Sequence, residues 1–331
     1  MKKTTINIFV AAIALLILSG ASCKRKGNTE VITEPTVKGP EFNADSAFAY
    51  CDAQCAFGPR TMNSEAHEKC GEWIAEKFRR LGCEVELQKA ALTGYDGTML
   101  RATNIIARHK PEKKRHILIC AHWDSRPWAD NDPDSTNWTK PVMAANDGAS
   151  GVAVMLEVAR LLQQVDSLNV GVDFVCFDAE DWGVPQWTNR SDADSWALGA
   201  QYWATHQPSK TWETTYGILL DMVGGQGAQF YKEQVSLHYA SSVVDRVWSA
   251  AHAAGYSGYF PMEQGGAITD DHLPVNEKAG IPCIDIIPYY PQCEASSFGP
   301  TWHTIQDDMN HIDKNTLKAV GQTLMQVLLT E

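Results

Sequence analysis

The sequence predicts a single α/β domain whose mixed, largely parallel β-sheet carries helices on both faces. Strand-like and helix-like segments alternate along most of the chain, which is the pattern of sheets built from strand–helix–strand units. The chain has 331 residues, 44% hydrophobic and 21% charged, which is typical of a globular protein. Its formal net charge of −12, without a basic stripe, argues against a nucleic-acid partner.

The first residues indicate export. Two lysines follow Met1, residues 6–18 are almost wholly apolar, and "SGASC" then ends at Cys23. The apolar stretch is too short to span a bilayer, so we expect residues 1–22 to be a signal peptide of the lipoprotein type, with Cys23 lipidated after cleavage. Gly20 stands where such signals usually have Leu. Ordinary cleavage after Ala21 therefore stays open as the alternative.

Residues 23–41 are polar, contain Pro35 and Pro40, and lack an apolar period, which predicts a flexible tether before a catalytic domain over 42–331. We expect a periplasmic or outer-membrane-associated lipoprotein of a Gram-negative bacterium, in contact with the membrane only through its lipid. The sequence leaves the oligomeric state open.

Eight cysteines remain beyond Cys23, and export would permit disulfides. Cys120 and Cys176 lie within apolar strand-like runs, so we expect them to be buried thiols. The sequence does not give the connectivity of the other cysteines. The pairs that could form are Cys51 with Cys55, Cys70 with Cys83, and Cys283 with Cys293.

The elements follow in a regular order. A helix capped by Asn63 or Ser64 should end at Gly82, and strands "CEVELQ", "TNIIARH" and "HILICAH" come next. A helix in "NDGASGVAVMLEVARLLQQ" should bury one face, made of Val152, Met155, Leu156, Ala159 and Leu162. The remaining predicted elements are strand "VDFVCFD", helix "ALGAQYWATH", strand "YGILLDM", helix "ASSVVDRVWSAAHAAG", strand "PCIDII" and helix "KNTLKAVGQTLMQVLL".

The long connections 123–146 and 182–195 exceed the usual loop length, which favours a functional role. Eight of the eleven tryptophans lie between Trp123 and Trp212, mostly in these connections. Core packing accounts for some of them. Tryptophan in a polar loop beside carboxylates also suits a ligand site.

Acidic and histidine side chains follow four of the predicted strands, and the ends of parallel strands meet at one edge of a sheet. Carboxylates gathered there would repel one another unless a cation neutralised them. His122 and Asp124 lie at the end of "HILICAH", Glu180 and Asp181 follow "VDFVCFD", and Asp221 lies at the end of "YGILLD". His303 in "TWHT" comes after "PCIDII", and Asp147 lies at a helix start.

Imidazole and carboxylate ligands without thiolates suit a catalytic zinc that keeps an open coordination position. Calcium fits less well, because the chain has no DxDxDG loop. The adjacent acids Glu180 and Asp181 could then have two different roles. One carboxylate would bind the metal while its neighbour transfers protons.

These motifs resemble the superfamily of zinc aminopeptidases and glutaminyl cyclases over roughly residues 42–331. The shared pattern is "H-x-D", an acid before a helix, two adjacent acids after a strand, and a late histidine. The resemblance implies two possible ligand sets. A dinuclear aminopeptidase would use His122, Asp147, Asp181, Asp221 and His303, whereas a cyclase would bind one zinc through Asp147, Asp181 and His303.

Further segments favour the cyclase branch. "AITDDHLPV" looks like the cyclase segment that carries a catalytic acid, here Asp270, and Trp302 directly precedes the histidine of "TWHT". "HWDSRPWADNDPD" and "LLDMVGG" resemble bacterial relatives of the animal cyclases. Thr269 stands where the animal enzymes have Gln. Trp187 is expected to be the second pocket tryptophan, with Trp182 as the alternative.

The resemblance therefore implies a cyclase with one zinc ion per chain that converts the N-terminal Gln of peptides to pyroglutamate and releases ammonia. Glu180 would carry the proton, and Asp270, assisted by Asp221, would steady the tetrahedral intermediate. Two alternatives are a dinuclear zinc aminopeptidase with the same base and an inactive surface lipoprotein that binds peptide N-termini.

The lipid anchor can be tested by mutation. The native protein should partition into detergent, because several acyl chains on one cysteine bind membranes firmly, and Cys23→Ser should yield a soluble exported protein. Phase partitioning with mass spectrometry of the mature N-terminus measures both. An unmodified N-terminus at Ser22 would support ordinary cleavage instead.

Overall fold

A six-stranded sheet forms the centre of the computed structural model, in the order β1-β2-β4-β3-β5-β6. The structure describes residues 36–188, 190–207 and 210–331. The strands are β1 (Glu84–Thr93), β2 (Met99–His109), β3 (Arg115–His122), β4 (Gly171–Phe177), β5 (Glu213–Leu220) and β6 (Cys283–Ile286).

The four strands β4, β3, β5 and β6 are parallel neighbours, while β1 and β2 form an antiparallel edge. The predicted fold class, a mixed and largely parallel sheet with helices, is therefore confirmed. The parallel strands read as nearly continuous apolar runs because helices cover both of their faces. Their carboxyl ends all point to one edge.

Helices cover the sheet in two layers. Along β3, side chains alternate between the faces, so that Ile117 and Ile119 join one core cluster and Leu118 and Cys120 another. Helices α1, α2, α3, α5 and α7 pack on the first face, and α4 and α6 on the second. The helices are α1 (Ala44–Cys55), α2 (Glu65–Arg80), α3 (Ala149–Leu162), α4 (Leu198–Thr205), α5 (Gln234–Ala253), α6 (His272–Glu277) and α7 (Lys314–Leu328).

Helix α3 lies at the centre of the first layer. The sequence predicts one buried face, but the structure buries every residue of α3 except Arg160, because α1 and α7 pack against the remaining faces. The buried carboxylate of Glu157 accepts hydrogen bonds from Nε and Nη2 of Arg160, each at 2.7 Å. At Gly151, a Cβ atom would lie 2.4 Å from the Leu220 carbonyl oxygen. The start of α3 therefore packs directly against the sheet.

Several element boundaries agree with the sequence, and others differ. Helix α2 begins after Ser64, whose hydroxyl accepts a hydrogen bond from the His67 amide. Helix α5 begins six residues before the predicted start and has non-helical backbone at Ala240. Two helices, α1 and α6, have no counterpart in the prediction. The buried face of α1 consists of small or polar side chains, and α6 has only 6 residues and contains Pro274.

The predicted signal peptide, Cys23 and most of the predicted tether lie outside the described residues. From residue 36 onward the chain contacts the domain. The amides of Lys38 and Phe42 donate to the side chains of Gln326 and Gln322 of α7, at 2.9 and 2.8 Å. Among the described residues, no helix has both the length and the apolar character needed to cross a membrane.

All eight cysteines of the described region are free thiols. Cys120 and Cys176 are buried, as predicted from their position within apolar strands. The pairings considered from the sequence, including Cys283 with Cys293, are not formed.

The contact at Gly151 predicts a large effect on stability. Alanine usually favours a helix, but at Gly151 its methyl group would collide with the Leu220 carbonyl and the Ala121 side chain. We expect Gly151→Ala to lower the free energy of unfolding by about 1–3 kcal/mol, as overpacking typically does. The midpoint of thermal unfolding measures this.

Gly258→Ala is the matched control, since a Cβ atom at Gly258 meets nothing within 4 Å. Its effect should stay within about 0.5 kcal/mol of wild type. Equal midpoints for the two variants would contradict the packing described for α3.

Candidate active site

The carboxyl ends of the parallel strands border a cavity of about 360 Å³. The structure gathers around it most of the residues that the sequence singled out. Those that line it are Asp147, Glu180, Asp181, Asp221, Asp270, Trp302 and His303. All six ionisable groups of this set are buried. The convergence at one edge follows from the parallel arrangement of β3 to β6.

The adjacent acids Glu180 and Asp181 are held in place by a third acid. The Asp124 carboxylate, which is fully buried, accepts hydrogen bonds from the amides of Glu180 and Asp181 at 3.1 and 3.2 Å. Ala179 has a φ of 54°, so the chain turns sharply where it leaves β4. This turn, fixed by Asp124, lets both acids line the cavity.

The third acid of the same segment, Asp178, has a structural role. Its carboxylate lies 2.8 Å from His67 Nε2 and accepts a hydrogen bond from the Thr103 amide at 2.6 Å. Asp178 is fully buried and does not line the cavity. Of the three acids after β4, Asp178 therefore links α2 to β2, and Glu180 and Asp181 line the cavity.

Glu180 lies in an environment that disfavours its charged form. Burial, followed by repulsion from the Asp181 carboxylate, raises the pKa of Glu180 well above its usual range. Asp181 differs, because His303 and Arg126 outweigh burial and lower the pKa of Asp181. Two adjacent carboxyl groups with opposite shifts suit different chemical tasks.

Asp147 occupies the turn that precedes α3. The carboxylate of Asp307 fixes this turn by accepting hydrogen bonds from the amides of Asn146 and Asp147 at 2.7 and 3.1 Å. The next residue is Gly148, where a Cβ atom would lie 2.5 Å from the His122 ring. Only glycine therefore allows His122 to approach the turn so closely.

The Asp147 carboxylate lies between two histidines. Its Oδ1 is 2.9 Å from His122 Nε2, and its Oδ2 is 3.6 Å from His303 Nε2. Burial and the nearby Asp181 carboxylate raise the pKa of Asp147 to about 6, although His122 acts in the opposite direction. His122 Nε2 also lies 3.3 Å from Asp221 Oδ1.

His303 lies between two carboxylates and beside two indole rings. Its Nε2 is 3.1 Å from Asp181 Oδ1, and its Nδ1 is 3.4 Å from Asp130 Oδ1. The ring stacks on Trp302 at 3.9 Å and lies parallel to Trp196 at 6.0 Å. Burial tends to lower the pKa of His303, but Asp181 and Asp130 together outweigh burial and the pKa of His303 rises to about 9.

The donor atoms around the cavity fit a divalent cation. Both oxygens of Asp181, Oδ1 of Asp221 and both ring nitrogens of His122 are buried without a hydrogen bond of good geometry. Unsatisfied polar atoms cost free energy inside a protein, and a metal ion would satisfy them. Imidazole and carboxylate donors without thiolate are a zinc-type set.

The geometry leaves two ligand sets possible around the same carboxylates. His122, Asp147 and Asp181 offer donor atoms that all lie within 4.8 Å of one another. The predicted set has His303 in place of His122, and His303 lies close to both carboxylates as well. His303 lines the cavity, whereas His122 is buried behind it.

Asp270 and Asp221 form the opposite wall of the cavity. Burial and the Asp221 carboxylate raise the pKa of Asp270 well above its usual range. Behind Asp270 lie His272 and Asp285, which together with it form a second buried group of possible ligands. Asp285 is not among the residues predicted from the sequence, although its place as an acid within the apolar run "IPCIDII" was a signal for it.

Trp187 is not part of the cavity wall that the sequence assigned to it. It is 38% exposed and stacks on Trp138 at 6.3 Å, because the short 3₁₀ turn Gln186–Thr188 turns only Gln186 towards the cavity. Trp182, the alternative, packs edge-on against Trp128 and is also outside it. Trp196, which follows a second 3₁₀ turn, is the cavity tryptophan that sequence reasoning missed.

Comparison with protein families gives a match to peptidase family M28 over residues 104–328. Among characterised relatives, aminopeptidase YwaD of Bacillus subtilis is 30% identical over 66% of this chain and 42% of its own length. The glutaminyl-peptide cyclotransferase of Boiga irregularis is 24% identical over 69% of this chain and 65% of its own length. The chain thus spans less than two thirds of each of these relatives.

Solved structures are more similar. A glutaminyl cyclase of Bacteroides thetaiotaomicron, bound to N-acetylhistamine, is 48% identical and matches 89% of this chain and all of its own with a TM-score of 0.86. A leucine aminopeptidase precursor from the same species is also 48% identical, with a TM-score of 0.85 over 89% of this chain and all of its own. The predicted resemblance to this superfamily is confirmed.

Proposed function

This chain belongs to peptidase family M28, and from that premise and the site geometry we propose that it is a zinc-dependent glutaminyl cyclase. It would convert the N-terminal Gln of peptides or proteins to pyroglutamate and release ammonia. The observation that carries the proposal is that Glu180, Asp270 and Trp302 line one cavity together with the possible metal ligands. The similarity to bacterial glutaminyl cyclases supports it.

Asp147, Asp181 and His303 would hold one zinc ion. The unsatisfied oxygens of Asp181 and the short distances from His303 to both carboxylates support this set. A zinc ion bound there supplies a Lewis acid for the γ-carbonyl group of the glutamine. The Asp130 carboxylate, 3.4 Å from His303 Nδ1, would help to orient the His303 ring so that its Nε2 faces the carboxylates.

Glu180 would transfer the proton. In the reaction the α-amino nitrogen bonds to the γ-carbon, the bond from that carbon to the side-chain amide nitrogen breaks, and one proton moves from the first nitrogen to the second. A single carboxyl group that lies near both nitrogens can accept this proton and return it to the departing ammonia. The raised pKa of Glu180 makes its carboxylate a stronger base for this proton transfer.

Asp270 and Asp221 would steady the tetrahedral intermediate and the leaving amide from the opposite wall. The raised pKa of Asp270 keeps that carboxyl group protonated over a wider pH range, so that it can donate a hydrogen bond. Trp302 and Trp196 give the cavity apolar walls against which the short glutamine side chain packs. Cyclisation is intramolecular, so holding the chain in a folded conformer supplies much of the rate.

His122 Nε2 lies 2.9 Å from the Asp147 carboxylate and 3.3 Å from the Asp221 carboxylate. This spacing suits ligands of a shared ion as well as an ion pair. One zinc ion per chain is therefore proposed on the similarity to glutaminyl cyclases and not on these distances.

The second candidate is a dinuclear zinc aminopeptidase, which would use a water molecule as nucleophile and Glu180 as base. The compact grouping of His122, Asp147 and Asp181 favours it, because it supplies a further set of ligands beside His303. The similarity to the Bacillus aminopeptidase and to the Bacteroides leucine aminopeptidase precursor also supports this candidate. A protein that only binds peptides would not require the buried base Glu180.

The partners proposed are peptides or proteins with an N-terminal Gln, which would reach the enzyme outside the cytoplasm. The export signal and Cys23 support a lipid-anchored protein of the periplasm or outer membrane.

Replacing the base should reduce turnover without removing the metal. We expect Glu180→Gln to lower cyclisation about 10²-fold or more, because it removes a general acid–base group while Asp147, Asp181 and His303 remain. Release of ammonia from a Gln-Ala substrate measures the rate, and bound zinc and the thermal midpoint verify the fold. Glu263→Gln, at an exposed acid, is the control. A Glu180 variant with near wild-type turnover would remove this residue from the mechanism.

Metal content and product identity together separate the two candidates. We expect close to one zinc per chain, and a Gln-Ala dipeptide should yield ammonia and pyroglutamyl-alanine without free alanine. Leu-Ala should stay intact, since the proposed reaction needs the γ-amide as its electrophile. Two tightly bound zinc ions together with released amino acid would overturn the cyclase and favour the aminopeptidase, in which the second ion activates water.

A further inference from the structure

The buried guanidinium of Arg126 lies behind two of the proposed zinc ligands and contacts several groups around them. Arg126 is only 1% exposed and uses all three of its nitrogens. Its Nε and Nη2 donate to the two carboxylate oxygens of Asp130 at 3.1 and 2.6 Å. Its Nη1 donates to the carbonyl oxygens of Asp181 and Gly183, each at 2.9 Å.

Two indole rings lie against the same guanidinium. The Arg126 Cζ atom lies 4.6 Å from the ring centroid of Trp196 and 5.2 Å from that of Trp128. Such cation–π contacts are strongest where water is excluded, as here. Together with its hydrogen bonds, these rings restrict the orientation of Arg126, and Trp196 in turn lies parallel to the His303 ring.

Asp130 connects Arg126 to His303. Its Oδ1 accepts from Arg126 and lies 3.4 Å from His303 Nδ1, which is an ion-pair contact without hydrogen-bond geometry. Its Oδ2 also accepts from the Gln186 amide at 3.0 Å. Asp130 is buried, so its charge is balanced locally by Arg126. A carboxylate on one ring nitrogen fixes which way the other nitrogen of a histidine ligand faces.

We propose that Arg126 is a positioning residue that sets the placement of two proposed zinc ligands, His303 and Asp181, relative to each other. It acts on His303 through the Asp130 carboxylate and on Asp181 through that residue's own carbonyl group. The two ligands belong to distant parts of the chain. Arg126 contacts Asp181 directly and is connected to His303 through Asp130. The inference rests on the proposed zinc site and does not depend on which reaction the site catalyses.

The geometry requires an arginine and not merely a positive charge. A guanidinium presents its donors in a rigid plane, which matches one carboxylate on one edge and two carbonyl groups on another. A lysine at this position would keep the charge but bring a single nitrogen on a flexible stem. Arg126→Lys therefore separates the positioning role from charge balance.

The test is zinc affinity, measured on metal-free protein by competition with a chromophoric chelator. We expect Arg126→Lys and Asp130→Asn each to weaken zinc binding by about 10- to 100-fold, the usual effect of losing a partner behind a metal ligand. The matched control is Arg160→Lys, which breaks a similar fork to Glu157 far from the cavity. Its zinc affinity should equal that of wild type even where its thermal midpoint falls.

Circular dichroism of the metal-free variants establishes that they are folded before zinc is added. Should Arg126→Lys fail to fold, Asp130→Asn decides, because asparagine keeps one acceptor for Arg126 and loses the charge beside His303. Wild-type zinc affinity in a folded Asp130→Asn or Arg126→Lys protein would overturn the proposal. A wild-type protein that binds zinc tightly but forms no pyroglutamate would overturn the cyclase assignment and leave this inference intact.

Discussion

The site depends on one constraint, which is that carboxylates buried at the ends of parallel strands must be neutralised. Asp147, Asp181 and Asp221 lie within a few ångströms of two histidines, and burial disfavours each negative charge. The unsatisfied oxygens of Asp181 and Asp221 show that side chains alone do not complete this neutralisation. A bound cation would resolve this imbalance, so the same buried carboxylates that need a positive charge would also hold the proposed zinc ion.

A second layer of acids makes the first layer possible. Asp124 accepts from the amides of Glu180 and Asp181, and Asp307 accepts from those of Asn146 and Asp147. A carboxylate that receives two backbone amides fixes a turn more firmly than a loop could by itself, because both donors would otherwise be buried and unpaired. Asp124 and Asp307, which are bonded to the main chain, hold the geometry, whereas Asp181 and Asp221 keep free oxygens and line the cavity.

Alternation along the chain and the strand ends sufficed to predict the sheet and the convergence of His122, Glu180, Asp221 and their neighbours, because parallel strands must end at one edge. The positions of residues in loops were harder to predict from the sequence. Trp187 and Trp196 occur in one connection without periodicity, and short 3₁₀ turns decide which of them reaches the cavity. Helix α1 was missed because its buried side chains are small or polar. Asp285 was missed because a single acid in an apolar strand carries no spacing pattern.

The two proposed reactions would differ in whether His122 binds a metal ion. In the structure His122 Nε2 lies against both Asp147 and Asp221, and a second metal ion would have to enter between these groups and take His122 as a ligand. Gly148 permits the close approach of His122 to the Asp147 turn, since any larger residue would collide with its ring. The packing of α3 on the sheet thus fixes how closely the Asp147 turn approaches the end of β3. Both reactions would use the same carboxylates, and only the dinuclear one would also take His122 as a ligand.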